Sequence, residues 1–261
     1  KIVAENTSGN NGKSLLFSGG KLIVPNSAGL NISNELLMEC WIKPNSYASN
    51  FTVFEKANSY QLKFVTGSNQ YRFKVFETAM ISDSVSISNS LLPQSNWSHL
   101  LAQISGDSLQ IYVNGLRVVS KKVQAGFGAS INLNNNNNEL HIGTSLMGNL
   151  DEIRVWDMDK TPASILQDYA RIVTGGDPGM VLYLRANEGI GTYAYDGSKN
   201  GNLFNKNHAA FSGSLAWSAI VPSVSQLSVA AFTDATGNYA MVIPYNGAGE
   251  VFKITPSYLT H

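Results

Sequence analysis

The sequence predicts an all-β fold, a sandwich or jelly roll with one short helix. Short runs rich in Val, Ile, Leu and aromatic side chains recur along the chain, and Gly, Asn and Ser separate them. Two hairpins support this fold. Asn114-Gly115 lies between SLQIYV and LRVVS and suits a type I′ turn, and Gly67-Ser68-Asn69 lies between YQLKFV and YRFKVFE. Many short strands joined by tight turns are typical of sandwiches and jelly rolls.

The predicted strands follow one another with turn residues between them. In chain order they are SLLFS, KLIVP, ELLMECWIKP, FTVFEK, YQLKFV, YRFKVFE, SVSIS, WSHLLAQIS, SLQIYV, LRVVSKK, ELHIG, GNLDEIRVW, MVLYL and SLAWS. Cys40, the single cysteine, stands among apolar neighbours, which predicts a buried and unreactive thiol. An internal disulfide and a cysteine-based metal cluster are therefore excluded.

One segment, DKTPASILQDYARI, breaks the strand pattern. Thr161 suits the N-cap of a helix and Pro162 its first position. We expect one short helix near residues 162–172, packed on the sandwich by one face. The predicted packing face consists of Ile165, Leu166 and Tyr169.

Composition excludes several function classes. The 261 residues include 18 Lys+Arg and 18 Asp+Glu, so the near-zero net charge argues against a broad surface for nucleic acid or anionic lipid. No apolar run reaches the roughly 18 residues of a transmembrane helix, and no membrane insertion is expected. No signal peptide is visible after Lys1. A composition rich in Asn, Ser, Thr and Gly is common in secreted bacterial proteins, so we expect a secreted or cell-surface location.

A domain boundary is predicted near Val221–Gln226. Residues 1–221 hold most of the predicted strands and form the main domain. Residues 227–261 hold three further short strands, too few for an independent core. They either pack on the main domain as appended strands or begin a second β module, and we favour the second. The chain is then expected to be part of a larger multidomain protein.

Paired acids in GNLDEIRVWDMDK raise the question of a glycosidase. Strand alternation predicts Asp151 on one face with Ile153 and Val155, and Glu152 on the other with Arg154 and Trp156. The two acids then cannot flank one glycosidic bond. Pairing of Glu152 with Arg154 is the structural interpretation. The sequence also lacks HExxH, GxSxG and P-loop motifs, so no catalytic residue is predicted.

A candidate metal site lies in DGSKNG. Asp196, Ser198 and Asn200 place oxygen donors at the first, third and fifth positions, like the front half of a calcium loop. The twelfth position is Asn207 rather than Glu, and a plain turn is the alternative. Asp151 and Glu188 are candidate distant ligands.

Candidate sugar platforms come from aromatic residues outside the strand cores. Sugar sites usually stack a ring on a pyranose and hydrogen-bond its hydroxyls. The four tryptophans lie in strand-like segments and are expected to pack. The candidate platforms are Tyr47, Phe127, Tyr193 and Tyr195, of which the last two share a face.

Several segments together resemble the laminin-G-like branch of the concanavalin A-like lectin/glucanase superfamily, over about residues 13–220. They are SLLFSGGKLIVPNS, MECWIKP, NWSHLLAQISGDSLQIYVNG, GNLDEIRVW, VLYLRANEGIGTYAYDGSKNGN and GSLAW. The resemblance implies a two-sheet antiparallel jelly-roll sandwich, in which structural Ca²⁺ is common. TDATGNY, with Thr233, Asp234, Gly237 and Tyr239, resembles the start of a small β-sandwich module found beside lectin-like domains in bacterial surface proteins.

Three functions follow as hypotheses. The first is a noncatalytic lectin-like module that binds a glycan or a surface protein. The second is a structural spacer without a ligand of its own. The third is a glycoside hydrolase whose carboxylates come from separate strands. The fold alone does not decide among them.

Overall fold

The computed structural model describes residues 2–6, 12–124, 131–171, 173, 175–198, 207–222, 227–231 and 252–256. Strands dominate these residues, which confirms the all-β prediction. In chain order the strands are β1 (Ile2–Asn6), β2 (Ser14–Ser18), β3 (Lys21–Val24), β4 (Leu36–Pro44), β5 (Phe51–Lys56), β6 (Tyr60–Val65), β7 (Gln70–Phe76), β8 (Ser82–Ser88), β9 (Ser98–Ser105), β10 (Ser108–Val113), β11 (Leu116–Lys122), β12 (Leu140–Ile142), β13 (Met147–Trp156), β14 (Met180–Leu184), β15 (Tyr193–Ala194), β16 (Ala209–Ser212), β17 (Leu215–Ser218), β18 (Leu227–Ala231) and β19 (Phe252–Pro256).

Two eight-stranded antiparallel sheets form the predicted jelly-roll sandwich. Sheet I has the order β11-β10-β9-β4-β13-β2-β17, with β14 also paired to β13. Sheet II has the order β15-β16-β3-β12-β5-β6-β7-β8. Both predicted hairpins are present. Asn114 and Gly115 join β10 to β11 with φ of 49° and 79°, as a type I′ turn requires. Residues 66–69 join β6 to β7.

The main core lies between the two sheets. Every second side chain of β4 enters it, and Cys40 is among them with no exposed surface. Burial raises the pKa of the Cys40 thiol well above its usual range, which fits the predicted unreactive thiol.

Sheet I is covered on its outer side by the helix α1 (Pro162–Asp168). The Thr161 hydroxyl accepts a hydrogen bond from the Ser164 amide and caps the helix. Ile165 is 1% exposed and packs in a second apolar cluster on this side of sheet I. Leu166 is 51% exposed, so its predicted place on the packing face is wrong. It follows Ile165 by about 100° around the helix and therefore points away from the sheet.

The two sheets differ in how their outer faces are buried. In β4, β9 and β13 of sheet I, nearly all residues are buried on both faces. In β7 and β8 of sheet II, buried and partly exposed residues alternate strictly. This is the pattern of a sheet with one face on the core and one face in solvent. We call the solvent side of sheet II the open face.

A third, three-stranded sheet joins residues from both ends of the chain. β1 is its middle strand and pairs antiparallel with β18 and β19. The TDATGNY segment lies outside the described residues, and the division at residues 221–227 stays a prediction. Among the described helices, none has the length and apolar character needed to cross a membrane.

Candidate functional site

A β-bulge at Glu152 reshapes the segment that carries the paired acids. Strand β13 pairs Asp151 with Trp41 and Arg154 with Glu39, and the register shifts between these two rungs. Three residue steps on β13 therefore face two on β4, which is a bulge. Glu152 has a φ of 48° at this point, in the left-handed region.

The bulge overturns the predicted faces of this strand. Asp151 lies on the outer side of sheet I with Arg154, whereas Ile153 and Val155 enter the core between the sheets. The prediction that Asp151 shares a face with Ile153 and Val155 is wrong, because strict alternation holds only where no extra residue is inserted.

Glu39, Glu152 and Arg154 form a network of buried ion pairs under α1, which we call the buried ion network. Arg154 Nη1 lies 3.1 Å from Glu39 Oε1, and Arg154 Nη2 lies 2.6 Å from Glu152 Oε2. Arg154 Nη2 also donates to the Arg171 carbonyl at 2.9 Å. The predicted Glu152–Arg154 pair is thus present, with both side chains almost fully buried.

Two further side chains donate hydrogen bonds to these acids, and His99 lies close to one of them. Trp156 Nε1 donates to Glu39 Oε1 at 3.2 Å, and the Tyr183 hydroxyl donates to Glu152 Oε2 at 2.6 Å. His99 Nε2 lies 3.2 Å from Glu39 Oε2, at an angle outside hydrogen-bond geometry. Buried charges are tolerated when they are paired in this way.

Burial and pairing shift the pKa values of the acids in opposite directions. Burial alone would raise the pKa of Glu39, but Arg154 and then His99 hold it well below its usual range. For Asp151, the charges of Arg185 and Arg154 lower the pKa less than burial and Glu152 raise it. Burial, and then the charge of Glu152, raise the pKa of Asp151 well above its usual range.

These acids are poorly placed for sugar cleavage. A retaining pair must reach a substrate from both sides of a glycosidic bond. Asp151 and Glu152 are each 5% exposed, and Glu152 is held by Arg154 and Tyr183. Through the Arg171 carbonyl, the buried ion network ties the loop after α1 to sheet I.

Asp196 organises the turn that was predicted as a metal loop. Its Oδ1 accepts hydrogen bonds from the amides of Tyr183 and Ser198, and its Oδ2 accepts from the Ser198 hydroxyl and the Asn207 amide. A carboxylate accepts about four such bonds at most. The arrangement is that of a structural turn.

The fit of a calcium ion to these residues is poor. Calcium needs six to eight free oxygens, roughly, and both oxygens of Asp196 are already committed. Asn200 lies outside the described residues, and the Asp151 Oδ1 atom accepts from the Glu152 amide. Within the described residues, no group of three or more acidic, His or Cys side chains could hold a metal. Calcium binding stays a prediction.

Of the four predicted platforms, Tyr47 is held by packing. Tyr47 packs against Phe64 at 4.6 Å between ring centroids, and its hydroxyl contacts the Tyr71 hydroxyl and the Leu92 carbonyl. These contacts explain its partial burial by packing. Phe127 lies outside the described residues.

Tyr193 and Tyr195 form an exposed aromatic pair, which we call the tyrosine platform. Tyr193 is 49% exposed and Tyr195 55% exposed. Their ring centroids are 6.4 Å apart with the planes 21° from parallel. His208 meets Tyr195 edge-on at 5.1 Å, and the neighbouring Ile190 is 81% exposed. Such a surface suits stacking against the apolar face of a sugar ring.

Neighbouring residues that the sequence analysis did not single out hold the tyrosine platform. Trp217 Nε1 donates to the Gly191 carbonyl at 2.9 Å and fixes the turn before β15. The Tyr195 amide donates to Glu188 Oε1 at 2.7 Å. Burial raises the pKa of Glu188, whose Oε2 is buried without a hydrogen-bond partner in the described chain. The alternation of Tyr193 and Tyr195 was visible in the sequence, whereas the distant anchor Trp217 gave no local signal.

Cross-strand pairing places the tyrosine platform at one edge of the open face. Directly opposite residues on neighbouring strands share a face, so pairing can be followed from strand to strand. The resulting row across sheet II is Tyr193, Ala210, Ile23, His141, Glu55, Gln61, Lys74 and Ser84.

A cleft lies away from the tyrosine platform. The cleft has a volume of about 490 Å³ and is lined by residues 28–29 and 31–35 together with Asp157. It contains polar side chains such as Asn31 and Glu35 but no aromatic ring. The tyrosine platform therefore fits the chemistry of sugar stacking better than this cleft does.

The sequence matches one family model. Residues 17–166, more than half of the chain, match Laminin_G_3, which is described as the concanavalin A-like lectin/glucanases superfamily. Among curated proteins, no sequence matches the chain.

Two solved structures are similar in fold. A proposed carbohydrate binding protein from Bacteroides ovatus superposes with a TM-score of 0.61 and 15% identity, covering 79% of this chain and 59% of the other. The binding domain of Paraclostridial Mosquitocidal Protein 1 superposes with a TM-score of 0.51 and 13% identity, covering 64% of this chain and 45% of the other. The chain thus spans less than two thirds of either structure's length. At these identities the similarity shows the fold alone.

Proposed function

Since the chain belongs to the Laminin_G_3 family of the concanavalin A-like lectin/glucanases superfamily, we propose that it is a noncatalytic module that binds carbohydrate on the open face of sheet II. The membership confirms the resemblance seen in the sequence. The similar structures support a binding module in general, since one is a proposed carbohydrate binding protein and the other a binding domain. Composition supports a secreted or cell-surface location in a bacterium, and the TDATGNY segment supports a protein of several domains.

The tyrosine platform is the observation that carries this proposal. Exposed aromatic rings that lie together on a protein surface can provide the contact area of a binding site. Here the rings are nearly parallel, and Trp217 and Glu188 hold the backbone on either side. A platform that is held in place before binding loses less conformational entropy when the sugar binds.

A glycan-array screen of the purified chain tests the proposal, with Tyr193→Ala and Tyr195→Ala as variants. We expect each variant to weaken binding to the array hits by about tenfold, the loss typical of a tyrosine at the centre of an interface. Leu116→Ala is the matched control, because Leu116 is 62% exposed on sheet I and its removal also deletes exposed apolar surface. Hits that bind both tyrosine variants as well as the control would refute the tyrosine platform as the binding site.

The same screen, run with calcium and with a chelator, tests the proposed structural Ca²⁺. Calcium-dependent hits, together with a melting temperature that rises in calcium, would support the ion. Equal glycan binding and an equal melting temperature with calcium and with the chelator would remove the calcium ion from the proposal.

The remaining alternatives give different outcomes. A structural spacer predicts no specific glycan or protein ligand. A glycoside hydrolase predicts release of reducing sugar from a polysaccharide. Loss of that release in Asp151→Asn or Glu152→Gln would contradict the noncatalytic assignment, because both side chains are placed here in packing roles.

A further inference from the structure

Three cations cluster on the open face near the edge opposite the tyrosine platform. Lys63 on β6 is directly opposite Arg72 on β7, and Lys74 follows two residues after Arg72 on the same face. All three side chains are partly exposed. Like charges placed directly opposite each other destabilise a sheet.

No carboxylate compensates this cluster within the described part of the chain. None of the three cations has an ion pair there, whereas Lys121, Lys122 and Arg154 each have one at 3.1 Å or less. Lys74 Nζ lies 4.5 Å from the centre of the Phe76 ring.

The register identifies the groups around the cations. Glu55 lies diagonal to Lys63 on the next strand, beyond ion-pair distance. The directly opposite neighbours of Arg72 and Lys74 on β8 are Ser86 and Ser84. The cluster is thus bordered by hydroxyl groups, which can hydrogen-bond a polar ligand without neutralising the cations.

We propose that Lys63, Arg72 and Lys74 form a subsite for the anionic group of an acidic saccharide, a carboxylate or a sulfate. Arg and Lys bind such groups through charge-assisted hydrogen bonds. The cations and the tyrosine platform lie on one continuous face, about six strand spacings or roughly 29 Å apart. A polysaccharide can therefore contact both. The assignment of a saccharide rests on the function proposed above.

The test measures the affinity of the chain for chondroitin, chondroitin sulfate, neutral dextran and polyglutamate, by calorimetry at low and high salt. We expect the two acidic polysaccharides to bind more tightly than dextran, and added salt to weaken them because it screens exposed charges. Stronger binding of chondroitin sulfate than of chondroitin would identify sulfate as the preferred group, and equal binding would identify the carboxylate.

The double variant K63Q/R72Q should lose about tenfold in affinity for the acidic polysaccharides. The control K122Q/R117Q removes the same number of charges from β11 of sheet I and should retain the affinity for the acidic polysaccharides. The melting temperature of K63Q/R72Q should stay the same or rise, since a like-charge pair is removed. An equal loss of affinity in K63Q/R72Q and in the control would overturn the inference. So would wild-type affinities for dextran or for polyglutamate that equal those for the acidic polysaccharides.

Failure here can be separated from failure of the proposed function. If K63Q/R72Q binds acidic polysaccharides as the wild type does while Tyr193→Ala still weakens neutral array hits, the inference fails and the function stands. If the tyrosine variants leave all saccharide binding intact while K63Q/R72Q loses it, the cation subsite stands and the platform fails.

Discussion

Arg154 shows how much a single residue can decide in this fold. Its guanidinium satisfies two buried carboxylates, Glu39 and Glu152, that belong to different strands. Replacing one partner of such a network leaves the other charges unpaired in a region of low dielectric constant. Loss of Arg154 is therefore expected to cost more stability than the loss of its hydrogen bonds alone.

We expect Arg154→Met to lower the free energy of unfolding by about 3–5 kcal/mol, because Glu39 loses its arginine and Glu152 keeps only Arg185, whose Nε lies 3.8 Å from Glu152 Oε1. Urea denaturation measures the change. Lys122→Met is a matched control, because Lys122 is exposed. Its Nζ lies 2.6 Å from Asp107 Oδ2, the same distance as that between Arg154 Nη2 and Glu152 Oε2. The control should change stability much less, and an equal loss in the two variants would contradict the role of burial.

Asp151 gives a pH dependence of a definite sign. Its pKa is raised in the folded state, so the folded protein binds more protons than the unfolded chain once the pH exceeds the ordinary Asp pKa of about 3.9. Its contribution to stability is then present at low pH and is lost as the pH rises toward the folded-state pKa. In Asp151→Asn the side chain does not ionise, so this loss of stability at higher pH does not occur. The asparagine keeps an oxygen that can accept the hydrogen bond from the Glu152 amide.

We therefore expect Asp151→Asn to gain stability relative to the wild type as the pH rises from about 4 to 7, measured by denaturation at each pH. Asp151→Ala also removes the oxygen that accepts from the Glu152 amide and should be less stable than Asp151→Asn. A stability difference between Asp151→Asn and the wild type that does not vary with pH would show that Asp151 is not protonated in the folded state.

At the scale of elements, the β10–β11 hairpin and the residues after α1 support each other. Gly115 closes the hairpin with a φ of 79°, and a Cβ there would meet the Tyr169 ring at 2.6 Å. Tyr169 directly follows α1, and its ring lies beside Gly115 in the turn between β10 and β11. Glycine is required here by both the backbone angle and the neighbour.

Gly115→Ala should lower stability by about 2–4 kcal/mol, from the left-handed backbone together with the clash. Gly106→Ala is the control, because Gly106 has a φ of 58° but nothing lies within 4 Å of a Cβ built there. The difference between the two variants in thermal denaturation isolates the Tyr169 contact. No difference would mean that Tyr169 moves aside without cost.

The elements were predictable from the sequence to different degrees. Alternating patterns and the Asn114-Gly115 turn were sufficient for the strands of the open face and the hairpin. The bulge at Glu152 was not predictable, because no glycine marks its left-handed backbone. The Glu39–Arg154 pair joins residues 115 positions apart, and no local pattern encodes such a contact.

At the scale of the whole molecule, the two sheets differ in the burial of their outer faces. The central strands β4, β9 and β13 of sheet I are buried on both faces, and α1 and the buried ion network pack on their outer side. Sheet II is buried on one face only and carries the tyrosine platform and the cation cluster on the other. Sequence reasoning identified the tyrosines by their alternation but not their position relative to the cations, which depends on strand order.

Lysine acetylation followed by mass spectrometry tests whether a saccharide binds on the open face of sheet II. A bound acidic polysaccharide should protect Lys63 and Lys74 from acetylation by about tenfold or more, whereas Lys122 on sheet I should react at an unchanged rate. Protection of Lys122 to the same extent would place the ligand on the other side of the molecule.

The strict alternation of β7 and β8 in sheet II also bears on how such a module diversifies over evolutionary time. Because the inward side chains of β7 and β8 carry the packing, their outward neighbours can be exchanged one by one at little cost to folding. New ligand preferences can thus arise by single substitutions on a scaffold that stays intact, whereas the central strands of sheet I, buried on both faces, tolerate fewer substitutions.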